Sequence, residues 1–198
     1  LFNRGVTKGQ RGDVNGEFAD YTAAIELPGA TPELIARARL SRGLRIAANG
    51  RNEEAIVDWQ TAALSSGADA EIRAAAVGEL LKIGSRLDRF EDPLALARTV
   101  ADNLDAAERV RFILGVVLAL RKPEMRTQWP RVCRRLIENQ PPEVAEKIRF
   151  LAPVCEVLET GDRSKLDPLP PEVRDFAQEA LAAFEAPAPR RDSTLPDV

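Results

Sequence analysis

Small residues recur along this chain at almost one period. Gly5, Gly43, Gly78, Gly115 and Ala152 are separated by 38, 35, 37 and 37 residues. Each lies in a stretch that reads as helix. A glycine inside a helix costs about 1 kcal/mol relative to alanine, so helix propensity does not explain it. A small residue at mid-helix lets another backbone or a bulky ring come close. Such an approach repeated along the chain predicts a stack of similar helical hairpins, because no single hairpin can bury its apolar face alone.

The first two copies overlay at an offset of 38 residues. Asn3-Arg4-Gly5 falls on Ser41-Arg42-Gly43, Gly12-Asp13 on Gly50-Arg51, Phe18 on Ile56, Asp20-Tyr21 on Asp58-Trp59, and Ala24 on Ala62. Phe18, Tyr21, Ala24 and Ile25 are spaced by threes and fours, as are Ile56, Trp59, Ala62 and Ala63, so the pattern is helical. The Gly-Asp and Gly-Arg breaks divide each copy into two short helices.

These residues resemble the tetratricopeptide repeat, a helix pair of about 34 residues with Leu-Gly in the first helix, then Ala, an aromatic and a Pro. The second copy has Gly43, Gly50, Ala55, Trp59 and Ala62 in matching places, and the first has Gly5, Gly12, Tyr21, Ala24 and Pro28-Gly29. Arg4 and Arg42 replace the usual Leu, and Glu17 replaces the small Ala. The resemblance covers residues 1–67 as two repeats. Residues 68–186 read as degenerate hairpins of the same stack: Val77-Gly78 with a second helix from Asp92 to Asn103, then Leu114-Gly115, then Leu151-Ala152 with Cys155. The expected fold is therefore all-α, a right-handed α-solenoid of about five antiparallel helical hairpins. Residues 187–198, rich in proline, read as a tail or linker.

Helix starts are marked throughout. Thr31-Pro32-Glu33 supplies a cap, a proline at the first helical position and a first-turn acid. Asp105-Ala106-Ala107-Glu108 reads as a capping box with Asp in place of Ser. Pro141-Pro142-Glu143-Val144 returns as Pro170-Pro171-Glu172-Val173, each opening a helix, the last ending near Glu185. The chain opens on Leu-Phe-Asn-Arg, already inside the first helix of the first repeat, as expected of a piece of a longer protein.

Composition narrows the function classes. A net charge of −3 over 198 residues gives no global nucleic-acid signal. No apolar run reaches the length of a membrane span. The sequence contains no histidine, which removes imidazole metal ligands and the usual general bases, and neither a cofactor nor catalysis is expected. Cys133 and Cys155 are the only cysteines and fit packing in a reducing compartment, hence the cytoplasm. Arg11-Gly12-Asp13 spells an adhesion tripeptide, but at a hairpin break Gly serves the reversal and Asp the next cap.

Two regions are candidates for binding. Residues 121–135 carry Arg121, Lys122, Arg126, Arg131, Arg134 and Arg135 against the single acid Glu124, with Trp129 among them. This is a nucleic-acid or acidic-peptide surface if Trp129 is exposed, and a solvated helix face if Trp129 packs inward. The second region is implied by the family resemblance, in which first helices line a concave groove. The lining would include Asn3, Gln10, Arg37, Leu40, Leu44, Lys82, Arg109, Phe112 and Arg149, with Ile72 and Ala76 where members that clamp a C-terminal carboxylate carry a basic pair. The resemblance thus implies a scaffold that binds a peptide or helix of a protein partner, or another domain of its own chain, but not chaperone C-termini. A regulatory or sensing module of a bacterial signalling or defence protein is the alternative. Nucleic-acid binding through residues 121–135 is the second.

Overall fold

The computed structural model describes residues 1–185, and the expected tail, residues 187–198, lies outside them. The described residues form eleven α-helices and two 3-10 turns, with no strand. In order they are α1 (Phe2–Gln10), α2 (Val14–Ile25), α3 (Pro32–Ala48), α4 (Asn52–Leu64), α5 (Ala70–Arg86), α6 (Glu91–Asp102), α7 (Ala106–Ala119), a turn at Pro123–Met125, α8 (Trp129–Ile137), α9 (Pro142–Ile148), α10 (Leu151–Thr160), a turn at Arg163–Leu166, and α11 (Pro171–Glu185). The caps behave as their chemistry dictates. Thr31 accepts from the Leu34 N–H at 3.2 Å, Asp13 from Gly16 at 2.8 Å and Asp105 from Glu108 at 2.9 Å. Gly12 and Gly50 make the first two hairpin reversals at φ of 82° and 76°, which a side chain would strain.

Packing follows sequence order. The pairs α1–α2, α3–α4 and α5–α6 are in contact, and α2 reaches α3 as α4 reaches α5. Further along, α5 lies on α7 and α7 on α9, while α6 lies on α8 and α8 on α10. The chain is thus a two-layer array of successive helix pairs. One cluster of buried side chains runs through it, from Trp59 past Leu80 and Phe112 to Trp129 and Leu151.

The recurring small residues turn out to do two different things. A Cβ on Gly5 would lie 2.9 Å from the Tyr21 ring, and one on Gly43 would lie 2.5 Å from the Trp59 indole nitrogen. In these two pairs the missing side chain admits the aromatic of the second helix. Gly78 and Gly115 instead bring α5 and α7 together: a Cβ on Gly78 would meet that of Ala119 at 2.7 Å, and one on Gly115 that of Ala74 at 2.7 Å. Ala152 does neither. It is half-buried and belongs to α10, which packs on α8, the helix being broken at Arg149-Phe150. Pro153 has no N–H to return to the Arg149 carbonyl, so α9 stops and α10 begins. Gly43→Ala and Gly78→Ala are each expected to destabilise the fold by about 1–3 kcal/mol, despite the gain in helix propensity. Urea denaturation measures this, and an unchanged or raised midpoint would refute the close packing.

Arg4 and Arg42 each form an ion pair between the two helices of their hairpin. Arg4 grips Asp20 through Nε at 2.8 Å and Nη2 at 2.5 Å. Arg42 grips Asp58 in the same fork at 2.7 and 2.8 Å. Both carboxylates are buried. Asp58 also receives Arg39 at 3.0 Å, and Asp20 receives Lys8 at 3.0 Å. Glu17, in place of a small Ala, fits because Gly9 opposite it has no Cβ. It accepts the Tyr21 O–H at 3.0 Å and pairs with Arg45 of α3 at 2.7 Å, tying the first pair to the second. Burial, with Glu17 beside it, pushes the Tyr21 phenol up to about 12.

The hydrogen bonds from Arg4 hold Asp20 well below the usual carboxylate range, with further help from Lys8. A depressed carboxyl pKa contributes stability above the unfolded value of about 4 and loses it as pH falls below that value. Lowering the pH from near neutral to about 3 should therefore cost the wild type more stability than the Asp20→Asn variant. Equal losses in urea titrations would show that Asp20 does not carry this dependence.

Candidate binding surface

The first helices present continuous solvent-facing stripes. On α3, Arg37 and Leu44 are both exposed and two turns apart, hence on one face, with Leu40 half-buried between them. On α5 the corresponding stripe is Glu71, Ala75, Glu79 and Lys82, and on α7 it is Arg111, Leu114 and Leu118. Arg111 reaches across to Glu71 at 3.8 Å, which places the α5 and α7 stripes side by side. Leu44 and Leu118 are exposed, at 44% and 43%. At the start of the array an open cleft of about 400 Å³ lies between α1 and α3, lined by Leu1, Phe2, Asn3, Thr31, Glu33, Leu34 and Arg37.

Asn3 and Arg37 are thus brought together, with Arg37 paired to Glu33 at 2.8 Å. Gln10 and Arg149 are exposed. Lys82 is half-buried and pairs with Glu79 at 2.5 Å. Two expected lining residues are displaced from the surface. Phe112 is fully buried and cannot meet a partner. Arg109 is held by the carbonyls of Asp102 at 3.0 Å and Leu104 at 3.2 Å, closing the loop before α7. The lining of α7 is rotated to Arg111–Leu118, because its close approach to α5 through Gly115 turns Phe112 and Val116 inward. Ile72 and Ala76, where a carboxylate clamp would need bases, are both buried.

The basic segment does not form a free cationic surface. Arg131 pairs with Glu91 and Arg134 with Glu159. Arg135 lies 3.5 Å from Glu138, and Arg121 lies 3.8 Å from Glu179. Arg131 also sits over the Phe90 ring at 5.5 Å. Lys122 and Arg126 flank the first 3-10 turn and are exposed. Trp129 is 1% exposed, with no face available for stacking on a base. Cys133 and Cys155 are free and buried side by side. Burial, and then the neighbouring Cys155 thiol, push the Cys133 thiol well above its usual range, which disfavours the thiolate.

One charged group was not singled out by sequence reasoning. Arg73 in the first turn of α5 is only 6% exposed, yet its only side-chain hydrogen bond among the described residues is from Nε to the Ala63 carbonyl at 3.0 Å. Nothing local marks it, since an arginine in a first turn reads as a surface residue. No helix of the described residues is long and apolar enough to cross a membrane. Comparison with protein-family models, curated proteins and solved structures finds no match to this chain.

Proposed function

We propose that this chain is an interaction scaffold of tetratricopeptide type, working in the cytoplasm and holding a peptide or amphipathic helix on the stripe formed by its first helices. The partner is a separate protein or another domain of the same parent chain. The observation that supports the reading is that α3 and α7 each expose a leucine, Leu44 and Leu118, beside ion-paired Arg37 and Arg111. Exposed apolar anchors among arginine–glutamate pairs suit a helix or extended segment with apolar side chains and some acids. The Asn3–Arg37 cleft continues the surface toward the chain's start.

Site-specific photocrosslinking tests this. A crosslinker at Leu44 or Leu118 should capture a defined partner, whereas one at Val57 on α4 should not. Val57 is 59% exposed, but on a second helix. With the captured segment as ligand, Arg37→Glu and Leu118→Asp should each weaken binding about tenfold or more. Equal capture from Val57, or unchanged affinity in both variants, would defeat the proposal.

A further inference from the structure

Arg73 is the least explained charge in the molecule. Its first-turn position on α5 folds it under the end of α4, where Nε caps the Ala63 carbonyl. The four N–H groups at the end of the guanidinium have no acceptor among the described residues, and no carboxylate lies within ion-pair distance. Burial pulls the Arg73 pKa down, and the charge of Glu108 only partly offsets this. The residue is 6% exposed, but its terminal nitrogens are not sealed off: they open on a cleft, where a ligand can take the place of water as their acceptor. The side chain lines a cleft of about 360 Å³ with Leu64, Ser66, Thr99, Asn103 and Glu108. That volume is at the small end of what ligand sites use.

The walls specify the ligand. The planar fork of arginine matches a carboxylate in two parallel hydrogen bonds. Arg73 is the only cation lining the cleft, and Glu108 faces it, so a doubly charged phosphate is poorly matched. Glu108 is half-buried and makes no ion pair among the described residues. The C-terminal turn of α6, at Thr99 and Asn103, forms another wall, its last carbonyl at Asp102 already taken by Arg109. Asn103 donates one of its two side-chain N–H groups to the Thr99 carbonyl at 2.7 Å, and its side-chain oxygen accepts from no group among the described residues. Negative and positive poles therefore stand across one small cleft, with Leu64, Val100 and Leu104 as apolar wall. We propose that this cleft binds a small zwitterion of the α-amino-acid class with an apolar side chain, its carboxylate on Arg73 and its ammonium toward Glu108 and the Asn103 side-chain oxygen.

The test is calorimetric titration of the whole chain with L-leucine, 4-methylpentanoate, isoamylamine and inorganic phosphate. L-leucine should bind saturably. The carboxylate-only and amine-only analogues should each bind at least about tenfold more weakly. Phosphate should not compete. Arg73→Gln should abolish leucine binding. Because that variant also removes the cap on α4, Glu108→Gln at its half-exposed position is the cleaner probe. It should weaken leucine about tenfold while leaving 4-methylpentanoate unchanged or tighter. No leucine binding, phosphate binding tighter than leucine, or leucine binding indifferent to Glu108→Gln would each overturn the proposal. In any of those cases Arg73 is a helix cap only.

Discussion

Replacing Trp129 with alanine is expected to cost about 3–5 kcal/mol of stability, the range for deleting a large buried aromatic. The indole is 1% exposed and joins three elements. It opens α8, donates its N–H to the Val117 carbonyl of α7 at 3.0 Å, and meets the Phe184 ring of α11 edge-on at 5.5 Å. The last carbonyls of a helix have no partner within it, and Trp129 satisfies one of those at the end of α7. Trp129→Phe should recover most of the packing but lose that hydrogen bond, for a residual cost of about 1–3 kcal/mol. Urea denaturation followed by circular dichroism measures both. If Trp129→Ala left the midpoint unchanged, the indole would not be a core group. The basic face around it would then have to be reconsidered as a nucleic-acid surface.

The second large effect is expected at Asp58. Its carboxylate is 2% exposed as a residue and is the shared acceptor of Arg39 and Arg42. Asp58→Ala leaves two partly buried guanidinium groups without a counter-charge, a loss of about 3 kcal/mol. The penalty comes mainly from stranding the arginines, so adding Arg42→Met should restore part of it. In a double-mutant cycle, the coupling between Asp58→Ala and Arg42→Met should exceed about 1 kcal/mol. Simple additivity would mean that the fork seen between α3 and α4 contributes nothing in solution. The result also bears on the repeat itself. The Arg4–Asp20 fork repeats the Arg42–Asp58 fork at the same place in the first hairpin.

The local features of this fold were readable because their causes are local. Thr31, Asp105 and the two Pro-Pro-Glu-Val segments announce helix starts through hydrogen bonds and fixed φ angles within a turn of themselves. Gly12 and Gly50 mark reversals for the same reason. The break before α10 was also written in the sequence, in Pro153, but the apolar run around it reads as one helix until the missing N–H is counted. The orientation of α7 was not readable. From Val110 to Leu120 apolar residues point in every direction around the helix, so periodicity cannot say whether Phe112 or Leu118 faces outward. Contact with α5 through Gly78 and Gly115 makes that choice. For the candidate sites, the sequence located the cationic run at 121–135 but not the acids that neutralise it. Glu91 and Glu159 come from α6 and α10, far away along the chain.

What the sequence alone determined is the helical-pair grammar: where helices begin, where they reverse, and that small residues recur at a spacing that calls for stacking. Those follow from backbone geometry and from the need of an amphipathic face to be covered. What only the tertiary structure decided is the purpose of each small residue and each charge. Gly43 admits an aromatic ring and Gly78 a neighbouring helix, Arg42 is half-buried in a fork on Asp58 and Arg131 is held to Glu91, while Arg73 is left with donors to spare. These outcomes depend on which surfaces meet, and that is fixed by contacts between residues tens of positions apart.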